Sequence, residues 1–217
     1  MKILFYGDSI TDMGRHKNEI TGEAENPAFK MGVGYPNLIA AELGYAYPAE
    51  YQFTNRGISG NRIVDLYARI KKDVWNHEPD VLSILIGIND LWHEWDGKNG
   101  VDLQRFDRMY RMLLSDTKER FPDLKLILCE PFVLLGSATD GDERWAHFQQ
   151  VKEYAKAVKK IAEDYGAYFV PLQDKFDEAA AKYNAEHYLY DGVHPAPAGA
   201  KLIATEWMKA FNAMMGQ

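Results

Sequence analysis

Short apolar runs alternate along the chain with longer stretches in which apolar residues recur every three or four positions. The short runs predict five strands, at residues 3–6, 51–54, 81–86, 124–128 and 167–170. The first and third runs are apolar at nearly every position, which is typical of strands buried on both faces of a sheet.

The periodic stretches predict helices between these strands. Their apolar stripes are Ile63, Leu66, Ile70 and Val74; Leu103, Phe106, Tyr110, Leu113 and Thr117; Phe148, Val151, Ala155, Val158 and Ile161; and Leu202, Ile203, Trp207 and Phe211. Shorter helices are predicted from Pro36 to Leu43, ended by Gly44, and over residues 174–183. The polar stretch 11–34 shows little periodicity and predicts a long loop.

The alternation of strands and helices predicts the fold class. It indicates an α/β protein in which a five-stranded parallel sheet is covered by helices on both faces, a three-layer α/β/α sandwich. We expect the flavodoxin-like strand order 2-1-3-4-5, with the first strand inside the sheet. No linker or internal repeat interrupts the pattern, so residues 1–217 are predicted to form a single domain.

Charge and composition narrow the class of partner. The net charge of −7 and the lack of a Lys/Arg cluster argue against nucleic acid or an anionic membrane as a partner. Cys129 is the only cysteine, so no disulfide can form within the chain. The N-terminus lacks a secretory signal and no segment is long and apolar enough to span a bilayer, so we expect a cytoplasmic protein. Association into a homo-oligomer stays open.

Four polar motifs follow predicted strands or precede the last helix. They are Gly7-Asp8-Ser9, Asn55-Arg56-Gly57-Ile58-Ser59-Gly60-Asn61, Gly87-Ile88-Asn89-Asp90 and Asp191-Gly192-Val193-His194-Pro195. Because ligands of open α/β folds bind at the carboxyl edge of the sheet, we expect these motifs to meet there.

The residue types in these motifs fit acyl transfer. A serine hydroxyl such as that of Ser9 becomes a good nucleophile when a base removes its proton, and His194 can be that base near neutral pH. Asp191, three residues before His194, can hold the imidazole in one tautomer if the loop turns at Gly192.

Together the four motifs resemble the blocks of the SGNH (GDSL-type) hydrolase family, over nearly the full length of the chain. The resemblance implies a serine esterase with Ser9, Asp191 and His194 as catalytic residues. It also implies an oxyanion hole formed by the backbone N–H groups of Ser9 and Gly57 and the side-chain amide of Asn89. One small departure from the family pattern is Ile10, which stands where the family has leucine.

Other sites fit the sequence less well. Ser59 is a rival nucleophile, but Asn61 replaces the last glycine of a G-x-S-x-G elbow. His93 and Glu94 begin an H-E-x-x-H motif that fails at Gly97, so we predict no metal and no cofactor. Asp8 is interpreted as a structural residue that supports the turn before Ser9.

Aromatic residues near these motifs bear on the substrate. Trp92, Trp95 and Tyr190 can form a wall for a sugar ring or close a small acyl pocket, or they can simply fill space between loops. The motifs look most like those of intracellular bacterial members that remove acetyl groups from xylan-derived sugars. We therefore expect a small acyl ester of a carbohydrate as substrate. The alternatives are a lysophospholipase or thioesterase on the same scaffold, and a flavodoxin-like binding module without catalysis.

Overall fold

The structure of the protein is a computed structural model that describes residues 1–18 and 26–216. Five strands in this part of the chain form one parallel sheet. They are β1 (Lys2–Gly7), β2 (Gln52–Gly57), β3 (Val81–Leu85), β4 (Lys125–Cys129) and β5 (Tyr168–Val170). Their order across the sheet is β2-β1-β3-β4-β5, which confirms the predicted order.

Helices follow the strands, and the longer ones other than α4 correspond to predicted helices. They are α1 (Ser9–Asp12), α2 (Tyr35–Ala46), α3 (Ile63–Asp73), α4 (Ile88–Gly97), α5 (Leu103–Arg120), α6 (Asp142–Phe148), α7 (Val151–Tyr165), α8 (Gln173–Lys182) and α9 (Pro197–Met215). Short 3₁₀ helices lie at Pro27–Phe29 and Trp75–His77.

Successive residues of β1 point to opposite faces of the sheet, and each contacts a helix there. The ring of Phe5 lies 5.5 Å from the ring of Trp207 in α9. The hydroxyl of Tyr6 donates instead to the Leu66 carbonyl in α3. Helices α2 and α8 pack on α9, whereas α5 packs on α3 and α7. The sheet is therefore the middle layer of an α/β/α sandwich, as predicted.

Strand β2 is longer than the sequence predicts. Asn55, Arg56 and Gly57 were expected in a loop, but their backbone pairs with β1, and Gly57 stands opposite Gly7. Asn55 and Arg56 are buried. The guanidinium of Arg56 is balanced there by the carboxylate of Asp73, 3.1 Å away. Polar residues can therefore end a buried strand when each has a partner.

The predicted end of α2 at Gly44 is wrong. The helix continues through Gly44 to Ala46, and the backbone N–H of Tyr47 still donates to the carbonyl of Leu43. Pro48 follows directly, and the residue before a proline is disfavoured in the helical conformation. Pro48 is thus a better explanation of the helix end than Gly44.

Two further helix predictions need correction. The motif at residues 87–90, expected only to follow the third strand, caps and begins α4, a helix that the apolar pattern does not predict. The helix predicted to carry Phe148 and Ile161 is two helices, α6 and α7, separated by Gln149 and Gln150. These two glutamines keep right-handed helical dihedral angles, so the apolar period runs across the break.

The stretch 11–34, predicted as a loop, contains the end of α1, the 3₁₀ helix Pro27–Phe29 and the backbone before α2. Residues 19–25 of that prediction lie outside the described residues. Within the ranges 1–18 and 26–216, no helix has both the length and the apolar character needed to cross a bilayer.

Candidate active site

Ser9 lies at the carboxyl end of β1, where the chain turns into α1. The carboxylate of Asp8 caps this helix by accepting a hydrogen bond from the Ile10 N–H at 3.0 Å. This contact confirms the structural role predicted for Asp8. The hydroxyl of Ser9 consequently faces the cavity at the edge of the sheet.

The structure brings the three predicted catalytic residues together in one hydrogen-bonded chain. The Oγ atom of Ser9 lies 2.9 Å from Nε2 of His194. The Nδ1 atom of the same imidazole lies 2.7 Å from Oδ2 of Asp191. Ser9 and His194 are 185 positions apart in the sequence, so only the fold makes this contact possible.

The loop around Asp191 explains the short spacing to His194. The second carboxylate oxygen, Oδ1, accepts hydrogen bonds from the backbone N–H groups of Val193 and His194, at 2.9 and 2.7 Å. Because a short polar side chain can bond the backbone two or three residues later, one aspartate both shapes the turn and reaches the imidazole.

Burial and hydrogen bonding shift the pKa values of His194 and Asp191 in opposite directions. Burial lowers the pKa of His194, but the hydrogen bond and charge of Asp191 outweigh it, and the pKa of His194 is raised above its ordinary value. Burial also raises the pKa of Asp191, but hydrogen bonds from His194 and Val193 outweigh it, and the pKa of Asp191 is lowered. The pair is therefore arranged to stabilise a protonated imidazole next to an ionised carboxylate.

The structure contradicts the prediction that Gly57 is an oxyanion donor. The N–H of Gly57 already donates to Oδ1 of Asn55 at 2.8 Å. A side chain at Gly57 would meet the backbone of Asp12, so this glycine serves the close packing of β2 against α1. Among the described residues, Gly57 is also not part of the cavity wall.

Gly60, three residues further on in the same motif, does line the cavity. Its φ of 80° is in the left-handed region that favours glycine. Its N–H has no hydrogen-bond partner in the described part of the chain. The sequence already contained a signal for it, since Gly60 belongs to the same motif and ends a Gly-Ile-Ser-Gly run typical of a tight turn.

Two other residues that line the same cavity, Ser9 and Asn89, also carry N–H donors without a hydrogen-bond partner among the described residues. Ser9 is the first residue of α1, where backbone N–H groups have no acceptor within the helix, and none of the described residues accepts from it. The side-chain Nδ2 of Asn89 is buried and makes no hydrogen bond of ordinary geometry to a described residue, although it is close enough to the Asp8 carboxyl to oppose the rise in the pKa of Asp8. Ser9, Gly60 and Asn89, the residues that carry these three N–H groups, thus all line one cavity.

Two buried carboxyl groups adjoin these donors in the sequence. Burial raises the pKa of Asp8 to about 6, although a hydrogen bond from Ile10 and the charge of His194 oppose this rise. Burial likewise raises the pKa of Asp90 well above its ordinary value, against a hydrogen bond from Ile63. The charge of Asp8 contributes in turn to the raised pKa of His194.

The cavity has a volume of about 930 Å³, and Trp92 and Tyr190 form part of its wall. The ring of Tyr190 stacks on the imidazole of His194, with the ring centres 5.7 Å apart. The ring of Trp92 lies 6.0 Å from the same imidazole, and its Nε1 donates to Asp96 at 2.8 Å. Trp95 instead packs on His147 and is not among the described residues that line the cavity.

Ser59, the rival nucleophile, also lines the cavity. Its hydroxyl donates to the carboxylate of Asp12 at 3.2 Å, and no histidine is bonded to it in the described part of the chain. A serine bonded to a carboxylate lacks the imidazole base that Ser9 has.

We expect Asn89→Ala to lower kcat for aryl acetates by about 10²- to 10³-fold, with KM changed much less. The reason is that the buried, unpartnered amide has most to bind once negative charge develops on the carbonyl oxygen. The measurement is steady-state kinetics with p-nitrophenyl acetate. Asn99→Ala, which removes another amide from the same cavity, is the matched control and should leave kcat nearly unchanged. A change confined to KM would contradict this role for Asn89.

Known proteins that are similar to this chain include esterases and GDSL-like acylhydrolases. The sequence profile of the GDSL-like lipase/acylhydrolase family matches residues 5–202. An acetylxylan esterase from Geobacillus stearothermophilus is 36% identical, over 97% of this chain and 94% of that protein. The crystal structure of an acetylxylan esterase from the same organism is 35% identical and superposes with a TM-score of 0.82, over 96% of this chain and 93% of that one. A GDSL-like protein from Parabacteroides merdae is 38% identical, with a TM-score of 0.88 and coverage of 96% and 94%. Solved variants of the Geobacillus esterase include catalytic mutants in which a serine or an aspartate is replaced by alanine.

Proposed function

This chain belongs to the GDSL-like lipase/acylhydrolase family, and we propose that it removes acetyl groups from carbohydrate esters such as acetylated xylo-oligosaccharides. That the chain is a carboxylic ester hydrolase follows from the family and from the esterases it resembles. The observation that carries the proposed mechanism is the bonded series Ser9–His194–Asp191 at a cavity that is also lined by Gly60 and Asn89.

In the proposed reaction, Oγ of Ser9 attacks the ester carbonyl while Nε2 of His194 takes the hydroxyl proton. Asp191 stabilises the imidazolium that forms, through the 2.7 Å hydrogen bond to Nδ1. The carbonyl oxygen becomes an oxyanion, and the N–H groups of Ser9, Gly60 and Asn89 are the donors available to it. His194 then returns its proton to the departing alcohol, leaving the acyl group on Ser9.

Water completes the cycle by the same route in reverse. His194 removes a proton from the water as it attacks the acyl-enzyme, and the proton later returns to Oγ of Ser9. The products are a carboxylic acid and the free enzyme, so no metal or cofactor is needed to balance the reaction.

The preference for a small acyl group rests on the aromatic wall. Trp92 is held by the hydrogen bond to Asp96 and by an edge-to-face contact with Phe148, so its indole cannot easily move aside. Tyr190 is 53% exposed and lies over His194, where a flat ring can pack against a sugar. The acetylxylan esterase from Geobacillus stearothermophilus supports the same substrate class.

We expect kcat/KM to fall along a series of p-nitrophenyl esters from acetyl to butyryl and hexanoyl. In an open acyl channel, burial of each added methylene would contribute up to ~0.8 kcal/mol to substrate binding, and kcat/KM would rise along the series instead. Acetylated xylo-oligosaccharides should be hydrolysed faster than lysophosphatidylcholine. A rising rate up to octanoyl, or faster turnover of the lipid, would favour the lysophospholipase or thioesterase alternative.

Two tryptophan variants test whether the indole of Trp92 causes this preference for short acyl chains. Trp92→Ala should relax the preference and raise the relative rate of the butyryl and hexanoyl esters, because it opens the wall beside His194. Trp95→Ala removes an indole of the same helix that does not line the cavity, so the order of rates should stay unchanged.

A further inference from the structure

We propose that Arg69 is a positioning residue that, through Asn61, holds the Gly60 N–H in place for the oxyanion. This inference rests on the proposed function, since it concerns the geometry of an oxyanion hole. Arg69 lies on α3, and among the described residues it is not part of the cavity wall. Any effect on the reaction must therefore pass through other residues.

Arg69 bonds to both segments that supply backbone donors. Its Nη2 donates to the Gly7 carbonyl at 3.1 Å, two residues before Ser9. Its Nε donates to Oδ1 of Asn61 at 2.7 Å, directly after Gly60. One rigid guanidinium thus spans the nucleophile turn and the turn that carries Gly60.

The rest of the guanidinium is fixed as well. Nη1 donates to the Arg56 carbonyl and to the Asp73 carboxylate, both at 2.8 Å. The guanidinium carbon lies 4.3 Å from the centre of the Tyr6 ring. A side chain with this many directed contacts has few other positions available, so it can define the positions of its partners.

The same turn is held from its other side. The Asp12 carboxylate on α1 accepts hydrogen bonds from the backbone N–H and the hydroxyl of Ser59, at 3.3 and 3.2 Å. The N–H of Ile58 donates to the Gly7 carbonyl, which Arg69 also binds. Gly60, with its left-handed φ and an N–H that makes no hydrogen bond to a described residue, is therefore flanked by two fixed neighbours.

Stabilisation of an oxyanion requires the Gly60 N–H to be held in a fixed orientation. A donor stabilises an oxyanion only when it is already oriented, and a displacement of about 1 Å can cost ~10²-fold in rate. Glycine has the least conformational restraint of any residue, so the Gly60 peptide requires restraint from its neighbours. Asn61 and Ser59 supply that restraint, with Arg69 and Asp12 as their anchors.

The test compares two substitutions at Asn61, which does not line the cavity among the described residues. Asn61→Ala removes the acceptor for Arg69 and should lower kcat by about 10- to 100-fold, with KM little changed. Asn61→Asp keeps an oxygen for Nε and should restore most of the rate. The affinity for trifluoroacetone, whose adduct with Ser9 would place an oxyanion on these donors, should fall by about the same factor as kcat/KM.

Arg69→Lys and a double variant complete the experiment. Lysine keeps the charge opposite Asp73 but cannot make the same set of bonds, so kcat should fall as in Asn61→Ala. The variant that combines Asn61→Ala with Arg69→Lys should have a kcat only slightly below that of either single variant, because both substitutions remove the same contact. Arg111→Lys, a similar change in an arginine of α5 bonded to Asp107 and Asp164, is the control and should keep the wild-type kcat.

Two outcomes overturn the inference. One is an unchanged kcat in the folded Asn61→Ala protein, and the other is a lower kcat with undiminished affinity for trifluoroacetone. If Arg69→Lys fails to fold, the Asn61 pair decides alone. Should Ser9→Ala stay active, the proposed function itself fails, whereas an inactive Ser9→Ala with a normal Asn61→Ala refutes only the role of Arg69.

Discussion

Replacing Ser9 by alanine is expected to lower kcat for p-nitrophenyl acetate by about 10⁴- to 10⁶-fold. Among the residues that the structure describes, this substitution removes the one hydroxyl of the cavity that is bonded to an imidazole, at 2.9 Å. The remaining rate would come from the oxyanion donors and from substrate binding. Because Oγ of Ser9 bonds only to His194 among the described residues, the melting temperature should change little.

Ser59→Ala is the comparison that makes the Ser9 result specific. Its side chain lines the same cavity, but its hydroxyl bonds to Asp12 rather than to a histidine. The hydrogen bond from the backbone N–H of Ser59 to Asp12 survives the substitution, so kcat should fall by at most about tenfold. If Ser59→Ala were the inactive variant and Ser9→Ala the active one, the assignment of the nucleophile would be wrong.

The second large effect is expected at His194. His194→Ala should lower kcat about as much as Ser9→Ala, because the two residues act as one unit. Combining both substitutions should therefore lower kcat only slightly further. In the wild type, kcat/KM should fall as the pH is lowered through the pKa of His194, since only neutral imidazole can accept the serine proton. Asp191 raises that pKa, so the midpoint should lie above the ordinary value of ~6.5.

The pH profile has its own control in a second histidine of the cavity. His93→Ala should keep the acid limb of the profile, because His93 is not bonded to Ser9. His194→Ala should lose the limb together with the activity. A profile that is flat from about pH 5 to 8, or an acid limb that survives in His194→Ala, would mean that another group is the base.

The fold could be predicted from the sequence where apolar spacing decides the structure. The five strands, their order and most helices follow from buried runs and regular stripes. Besides the end of α2 and the break between α6 and α7, the prediction failed where polar residues are buried next to the site. Asn55 and Arg56 look like loop residues but lie in β2, and the polar pair Asn89 and Asp90 lies in the first turn of α4, where no helix is predicted. Such local inconsistencies are expected at functional sites.

The candidate site was predictable as residue types but not as geometry. Ser9, Asp191 and His194 stand out because acyl transfer needs those groups in that pattern. The choice between Gly57 and Gly60 depends on which N–H is already used by a neighbour, and that contact exists only in the folded chain. Arg69 carries no motif at all, since an arginine on the polar side of a helix gives no sign of what it bonds to.

The most direct test of the proposed mechanism is to find the acyl group on the enzyme. The protein is mixed with p-nitrophenyl acetate, quenched in acid within the first turnover, digested and examined by mass spectrometry. The mechanism predicts one acetyl group, on the peptide that contains Ser9, and none on that peptide in Ser9→Ala. An acetyl group on the Ser59 peptide instead, or full activity with no acetylated serine at any quench time, would contradict it.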